Sequence, residues 1–286
     1  RDSMGLELKA WAKVAGKDLA RALEFGCDHI APEWEAWIKA RLAEPGVDVP
    51  QLFEHVEFKD LRLTNKDQRK VAAVVTRLFG KYSPQIKAAA GKGVVDYTST
   101  SELFAAIGDK LAPILEKLYT ANMKQLIVDN DTPIDREVYT TYAQDWANKY
   151  TFDKLTGELT DTTIKNLQRM VSKLAQDPTL TAAQISAGLF PTFSPYRVAM
   201  IATTEVTRAK AATTNGYYDI LTSYGDTVVR RWLTEADERV CPICGPLDRS
   251  LEKTYRKQWG DGPPAHPNCR CEIGVEVKEG DDEEGG

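Results

Sequence analysis

The sequence predicts a mostly α-helical protein with a small α+β C-terminal domain, in which a helical N-terminal region precedes a part stapled by zinc. Three observations lead there. Apolar residues recur at helical spacing through the first 150 residues. Two segments near the end, 227–234 and 272–277, read as strands, the first from its β-branched and aromatic content and the second from its alternation of polar and apolar residues. Between them lie four cysteines and a histidine at metal-ligand spacing.

The elements follow in order. Leu6, Trp11, Val14, Ala15, Leu19, Ala22 and Leu23 mark a first helix, and Pro32 opens a second with Trp34, Trp37, Ile38 and Leu42. Glu44-Pro45-Gly46 is a stop and turn. A helix from about Asn65 places Val71, Val74, Val75, Leu78 and Phe79 on one face. Ser101 marks the start of a long helix carrying Leu103, Ile107, Leu111, Leu115, Leu118, Met123 and Leu126, bent near Pro113. The next carries Tyr139, Tyr142 and Trp146, read as core aromatics rather than a stacking platform for bases. The polar stretch 151–161 connects two parts of the molecule, and Thr160 or Asp161 caps a helix ending before Pro178. A short helix spans Thr181 to about Leu189. Ser194-Pro195 then starts a long one, because the serine caps and the proline already has helical φ, and Gly225 closes it. Two strands follow, and in the second Ile273, Val275 and Val277 share a face. The expected division is 1–150, a helical N-terminal region; 151–275, the domain with the zinc site; and 276–286, an acidic flexible tail.

Charge excludes a general drive onto nucleic acid. The formal net charge is −5, and residues 276–286 alone hold six acids and one lysine. The remaining body is therefore close to neutral, and any DNA contact needs a local patch. No run approaches the ~20 apolar residues of a membrane span, so no membrane partner is expected. The sequence opens on Arg1, which leaves a targeting segment upstream unaddressed. Five cysteines, four of them between 241 and 271 beside a histidine, point to metal in a reducing compartment rather than to disulfides.

The metal candidates stand as Cys241-Pro-Ile-Cys244 and His266-Pro-Asn-Cys269-Arg-Cys271. A Cys-x-x-Cys turn folds into a knuckle that presents two thiolates to one ion, and zinc takes four such ligands in a tetrahedron. His266 supplies the third, and Cys269 or Cys271 the fourth, because residues two apart on a strand point the same way. Cys269 is preferred, with the other sulfur left as a spare beside the ion. Four protein ligands leave no open position, so the zinc is structural. It would contribute on the order of 10 kcal/mol to a loop, 245–265, too rich in Gly, Pro and charge to hold itself.

With these residues the chain resembles the head-morphogenesis domain of tailed bacteriophages, the family of Mu F-type minor head proteins. The match begins at Arg197-Val-Ala-Met-Ile-Ala-Thr-Thr-Glu205 and continues through Asn215-Gly216 and the strand with Trp232. Asp237-Glu-Arg-Val-Cys-Pro-Ile-Cys244, Leu247-Asp248 and Pro263-Pro-Ala-His-Pro-Asn-Cys-Arg-Cys271 complete it, over roughly 160–275. The resemblance implies a minor capsid protein of low copy number, located in the virion, in the capsid interior or at the portal vertex, and made in the host bacterial cytoplasm. It implies a role in head assembly and in DNA packaging or ejection. The implied partners are the portal protein, the major capsid or scaffold protein, and packaged double-stranded DNA.

No catalytic or cofactor-binding residue is assigned, and the protein is expected not to be an enzyme. Arg197 with Thr203-Thr204-Glu205 has the residue types with which ADP-ribosyltransferases hold a dinucleotide, but here they fall on a helix and are read as structural polar contacts. A virion-delivered enzyme, ADP-ribosyltransferase-like or a hydrolase, is the alternative. The other is a zinc-containing DNA-binding module using Arg230, Arg231, Arg249, Lys253, Arg256 and Lys257, which are otherwise a solvated face. His29, Cys27 and His55 are read as isolated side chains rather than ligands.

Overall fold

The computed structural model describes residues 63 and 65–278 apart from 178, 238, 239 and 242. The two expected N-terminal helices, the turn at Glu44–Gly46, Cys27, His29, His55 and the acidic tail beyond 278 lie outside the described residues. Seven α-helices and two strands follow one another among them: α1 (Lys66–Gly91), α2 (Tyr97–Asp129), α3 (Arg136–Tyr150), α4 (Thr156–Gln176), α5 (Ala182–Leu189), α6 (Pro195–Tyr224), β1 (Thr227–Leu233), α7 (Glu252–Trp259) and β2 (Glu272–Lys278). The chain forms two compact units, one of residues up to Ile107 with Thr156–Ile201, the other of Gly108–Leu155 with Ala202 onwards. Helices α2 and α6 run through both ranges.

In the first unit, α1 begins with the cap its sequence encodes. Asn65 Oδ1 accepts the Asp67 and Gln68 N–H groups at 3.0 and 2.8 Å, and the Gln68 side chain accepts the Asn65 N–H. Val71, Val75, Phe79 and Ile86 are buried along one stripe, and Phe79 meets Phe104 and Phe193 edge-on at 6.4 and 5.4 Å between centroids. The α2 start differs from expectation. Asp96 accepts the Ser99 N–H at 2.9 Å, and Ser101 sits exposed inside the helix.

The stretch 151–161 is not a loop. A π-helical turn at Thr151–Leu155 continues α3 into α4, and Thr160 donates to the Thr156 carbonyl within the helix instead of capping it. Its polar residues form the outer face of α4, which buries Thr163, Leu167 and Met170. Ser194 does cap α6, accepting the Arg197 N–H at 3.1 Å.

In the second unit, Tyr119, Met123, Ile134, Tyr139, Tyr217, Ile220 and Leu221 form the core, with Val228, Val275 and Val277 of the strands packed against it. β1 and β2 pair antiparallel, from Thr227 opposite Lys278 to Leu233 opposite Glu272. The expected β2 face of Ile273, Val275 and Val277 therefore shares its side with Trp232, Arg230 and Val228. The core reading of the α3 aromatics holds for Tyr139 but not for Tyr142, which is 41% exposed. Trp146 stacks flat on Tyr150 at 5.2 Å.

Candidate metal centre

The loop between the strands is more structured than its composition predicts. A 3-10 turn at Gly245–Leu247 and helix α7 interrupt it. The Arg249 N–H donates to the Trp232 carbonyl at 2.7 Å and the Trp232 N–H to the Ser250 carbonyl at 2.9 Å, so the loop extends the sheet edge. Tyr255 of α7 is 1% exposed and meets Trp232 edge-on at 5.5 Å. The expectation that residues 245–265 could not hold themselves is thus corrected for the α7 part, which has its own apolar anchor.

What that anchor leaves open is the pair of segments bearing the sulfurs. The turn after Cys241 brings the Cys244 N–H to 3.3 Å from the Cys241 sulfur, the knuckle expected of Cys-x-x-Cys. His266 Nε2 lies 3.0 Å from the Cys241 sulfur and 3.3 Å from that of Cys244. Cys269 approaches Cys244 with sulfurs 3.8 Å apart. Two triads of donor atoms result, Cys241–Cys244–His266 and Cys244–Cys269–Cys271, each with all atoms within 4.8 Å and Cys244 common to both. All four cysteines are free and buried. This donor set can hold a metal ion.

Local chemistry prepares it. The His266 Nδ1–H donates to the Pro267 carbonyl 2.8 Å away, which leaves the Nε2 lone pair facing the sulfurs. Hydrogen bonds from the Cys244 and Cys271 thiols hold the Cys269 thiol far below its ordinary range, and the same crowding pushes Cys244 up. A bound cation would displace the remaining thiol protons to solvent.

Helix α6 positions the second half of the cluster through a stripe at i, i+3 and i+6. Thr204 Oγ1 accepts the Asn268 N–H at 2.8 Å, Thr207 donates to the Cys269 carbonyl at 2.7 Å, and Lys210 pairs with Glu272. Asn268 turns there with φ +64°, a conformation asparagine tolerates. Arg270 points away from the sulfurs and makes two 2.8 Å bonds to Asp237. Trp232, fully buried on β1, brings its indole N–H beside the Cys271 sulfur, and no nitrogen or oxygen partner takes that N–H. Sequence reasoning missed Thr204, Thr207, Asp237 and Trp232 as supports, although the i, i+3 spacing of the threonines was legible.

The remaining candidates are committed elsewhere. Buried Arg197 donates to the Thr192 carbonyl at 3.2 Å, the Leu159 carbonyl at 3.4 Å and Thr163 Oγ1 at 2.9 Å, and burial pulls its pKa down to about 10. Glu205 is 4% exposed; Tyr150 donates to it at 2.5 Å, with Arg208 Nε 3.9 Å away. Arg230, expected in an exposed basic patch, is 7% exposed, forked onto Glu252 and bonded to Asn215 at 2.6 Å. Arg256 also reaches Glu252, and Arg231 reaches Glu276. A cleft of about 780 Å³ lies between α3, α6 and residues 258–264, with Tyr150 and Arg208 in its wall. No described helix is long and apolar enough to cross a membrane.

Comparison with known proteins gives a family match over this part of the chain. Residues 153–274 match the family described as Phage Mu protein F like protein, a stretch that contains α6, β1, the start of β2 and all five donor residues. No curated protein and no solved structure matches the chain. The resemblance read from the sequence over roughly 160–275 is supported by that match.

Proposed function

We propose that this protein is a minor head protein of a tailed bacteriophage, acting in head morphogenesis at the portal vertex, with a structural zinc in its C-terminal part. The observation that carries the reading is the match to the Mu F-like family across the segment that builds the cluster. Zinc fits the donors. Thiolates bound at ~2.3 Å in a tetrahedron stand about 3.8 Å apart, and the Cys244 and Cys269 sulfurs are separated by 3.8 Å. Thiolate and imidazole donors also favour zinc over the oxygen-seeking cations. Cys241, Cys244, His266 and Cys269 would fill the tetrahedron, and a filled tetrahedron holds the fold rather than activating water. In this reading the protein resides in the virion, meets the portal protein and packaged DNA, and is not an enzyme.

The test is genetic and compositional. Purified particles should contain the protein at low copy number, and phage lacking its gene should accumulate defective or DNA-poor heads. Its absence from particles, or normal heads without it, would overturn the reading. One observation favours a second reading: the cleft beside the Tyr150–Glu205 pair could take a small substrate. Loss of a measurable activity in Glu205→Gln, with folding and assembly intact, would establish that alternative.

A further inference from the structure

The cluster offers five donors to an ion that takes four. With Cys241, Cys244 and His266 in place, one position remains for two sulfurs. Cys269 and Cys271 both compete for it, together forming a second triad of donors with Cys244. They are two residues apart on the chain entering β2, 2% and 5% exposed, and both within 4.8 Å of the Cys244 sulfur.

An unbound sulfur in a buried site is costly unless it has a polar neighbour, and each of these lies within 4.8 Å of the other and of the Cys244 sulfur. The Cys271 sulfur sits beside the indole N–H of Trp232, a buried donor with no nitrogen or oxygen acceptor. The sulfur that does not hold the ion keeps thiol neighbours, whichever of the two it is. Arg270, between them, is held by Asp237 in a fork and cannot interfere.

We propose that Cys269 and Cys271 are interchangeable fourth ligands, so that the ion is held by Cys241, Cys244, His266 and either of the two sulfurs. The proposal rests on the zinc reading above. Its consequence is a staple that survives the loss or oxidation of one thiol at the position nearest the strand.

Cobalt(II) titrated into the metal-free full chain tests it, because thiolate-to-cobalt charge-transfer absorption counts the bound sulfurs. The wild type should take up one equivalent, and Cys269→Ser and Cys271→Ser should each keep the wild-type intensity and bind within about tenfold, since only a supporting group is lost. The double variant should lose roughly a third of the intensity, as three thiolates become two, and bind at least a hundredfold more weakly. If either single variant shows that one-third loss, the ligand is dedicated and the exchange is wrong, while the metal site stands. If the wild type takes up no cobalt or zinc, the zinc reading fails and this inference with it. A second measurement needs no variant. Iodoacetamide labelling of the zinc-loaded wild type, read by peptide mass, should divide between Cys269 and Cys271; labelling confined to one of them overturns the proposal.

Discussion

Gly216 gives the sharpest test of the packing that supports the site. It lies inside α6, next to Asn215, where alanine would ordinarily stabilise the helix by about 1 kcal/mol. Here a Cβ would stand 1.9 Å from the Tyr119 hydroxyl oxygen, 3.2 Å from the ring carbon that bears it and 3.6 Å from Met123 Cε. Ordinary contact needs about 3.5 Å, so the ring must retreat by well over 1 Å. Tyr119 is 2% exposed and packed on Trp146 at 5.5 Å, so it has nowhere to go without cost. Overpacking of this kind costs about 1–3 kcal/mol beyond any local gain. Gly216→Ala should therefore destabilise the protein by about 1–2 kcal/mol in urea unfolding, against the helix-propensity expectation. Tyr119→Phe removes the atom at 1.9 Å and leaves the ring carbon at 3.2 Å. In that background the alanine should cost at least about 1 kcal/mol less, a coupling that a double-mutant cycle reads directly. An alanine variant as stable as wild type, or additive single effects, would refute the packing argument.

Further outcomes follow from the same contacts. Elemental analysis should find about one zinc per chain. Cys241→Ser should release it and raise hydrogen exchange in residues 263–271, while α7, anchored by Tyr255, stays protected. Because thiols must lose protons to bind, acidification should also release the ion; metal retention unchanged down to about pH 4 would contradict thiolate ligation. Arg230→Ala removes the buried fork onto Glu252, which keeps Arg256 as its partner, and should cost about 1–2 kcal/mol by chemical denaturation. It should not change DNA affinity in a gel shift at physiological salt. Asp237→Asn weakens the fork to Arg270 and should cost about 1 kcal/mol, with zinc affinity falling severalfold in a chelator competition.

The helices were legible wherever burial has a period. Asn65 with Gln68, and Ser194 before Pro195, encode helix starts in side chains that reach only three residues along. The five donors were legible because a metal demands particular atoms at short spacing. Misreadings came where composition stood in for contacts. Residues 151–161 look like a linker because α4 turns a polar face outward, and 245–265 look unstructured because one tyrosine carries the packing of α7.

By itself, then, the sequence determined the helical class, the two strands, the donor set and the family to which that set points, since each rests on residues close along the chain or of distinctive chemistry. Tertiary structure decided what lies across it. Arg230 was an exposed patch residue until the β1 register turned it inward onto Glu252. Thr204 and Thr207 were helix surface until Asn268 and Cys269 came to rest on them. The indole that flanks Cys271 comes from a tryptophan some 40 residues away in sequence. Such pairings depend on how the chain closes on itself, which no local propensity records.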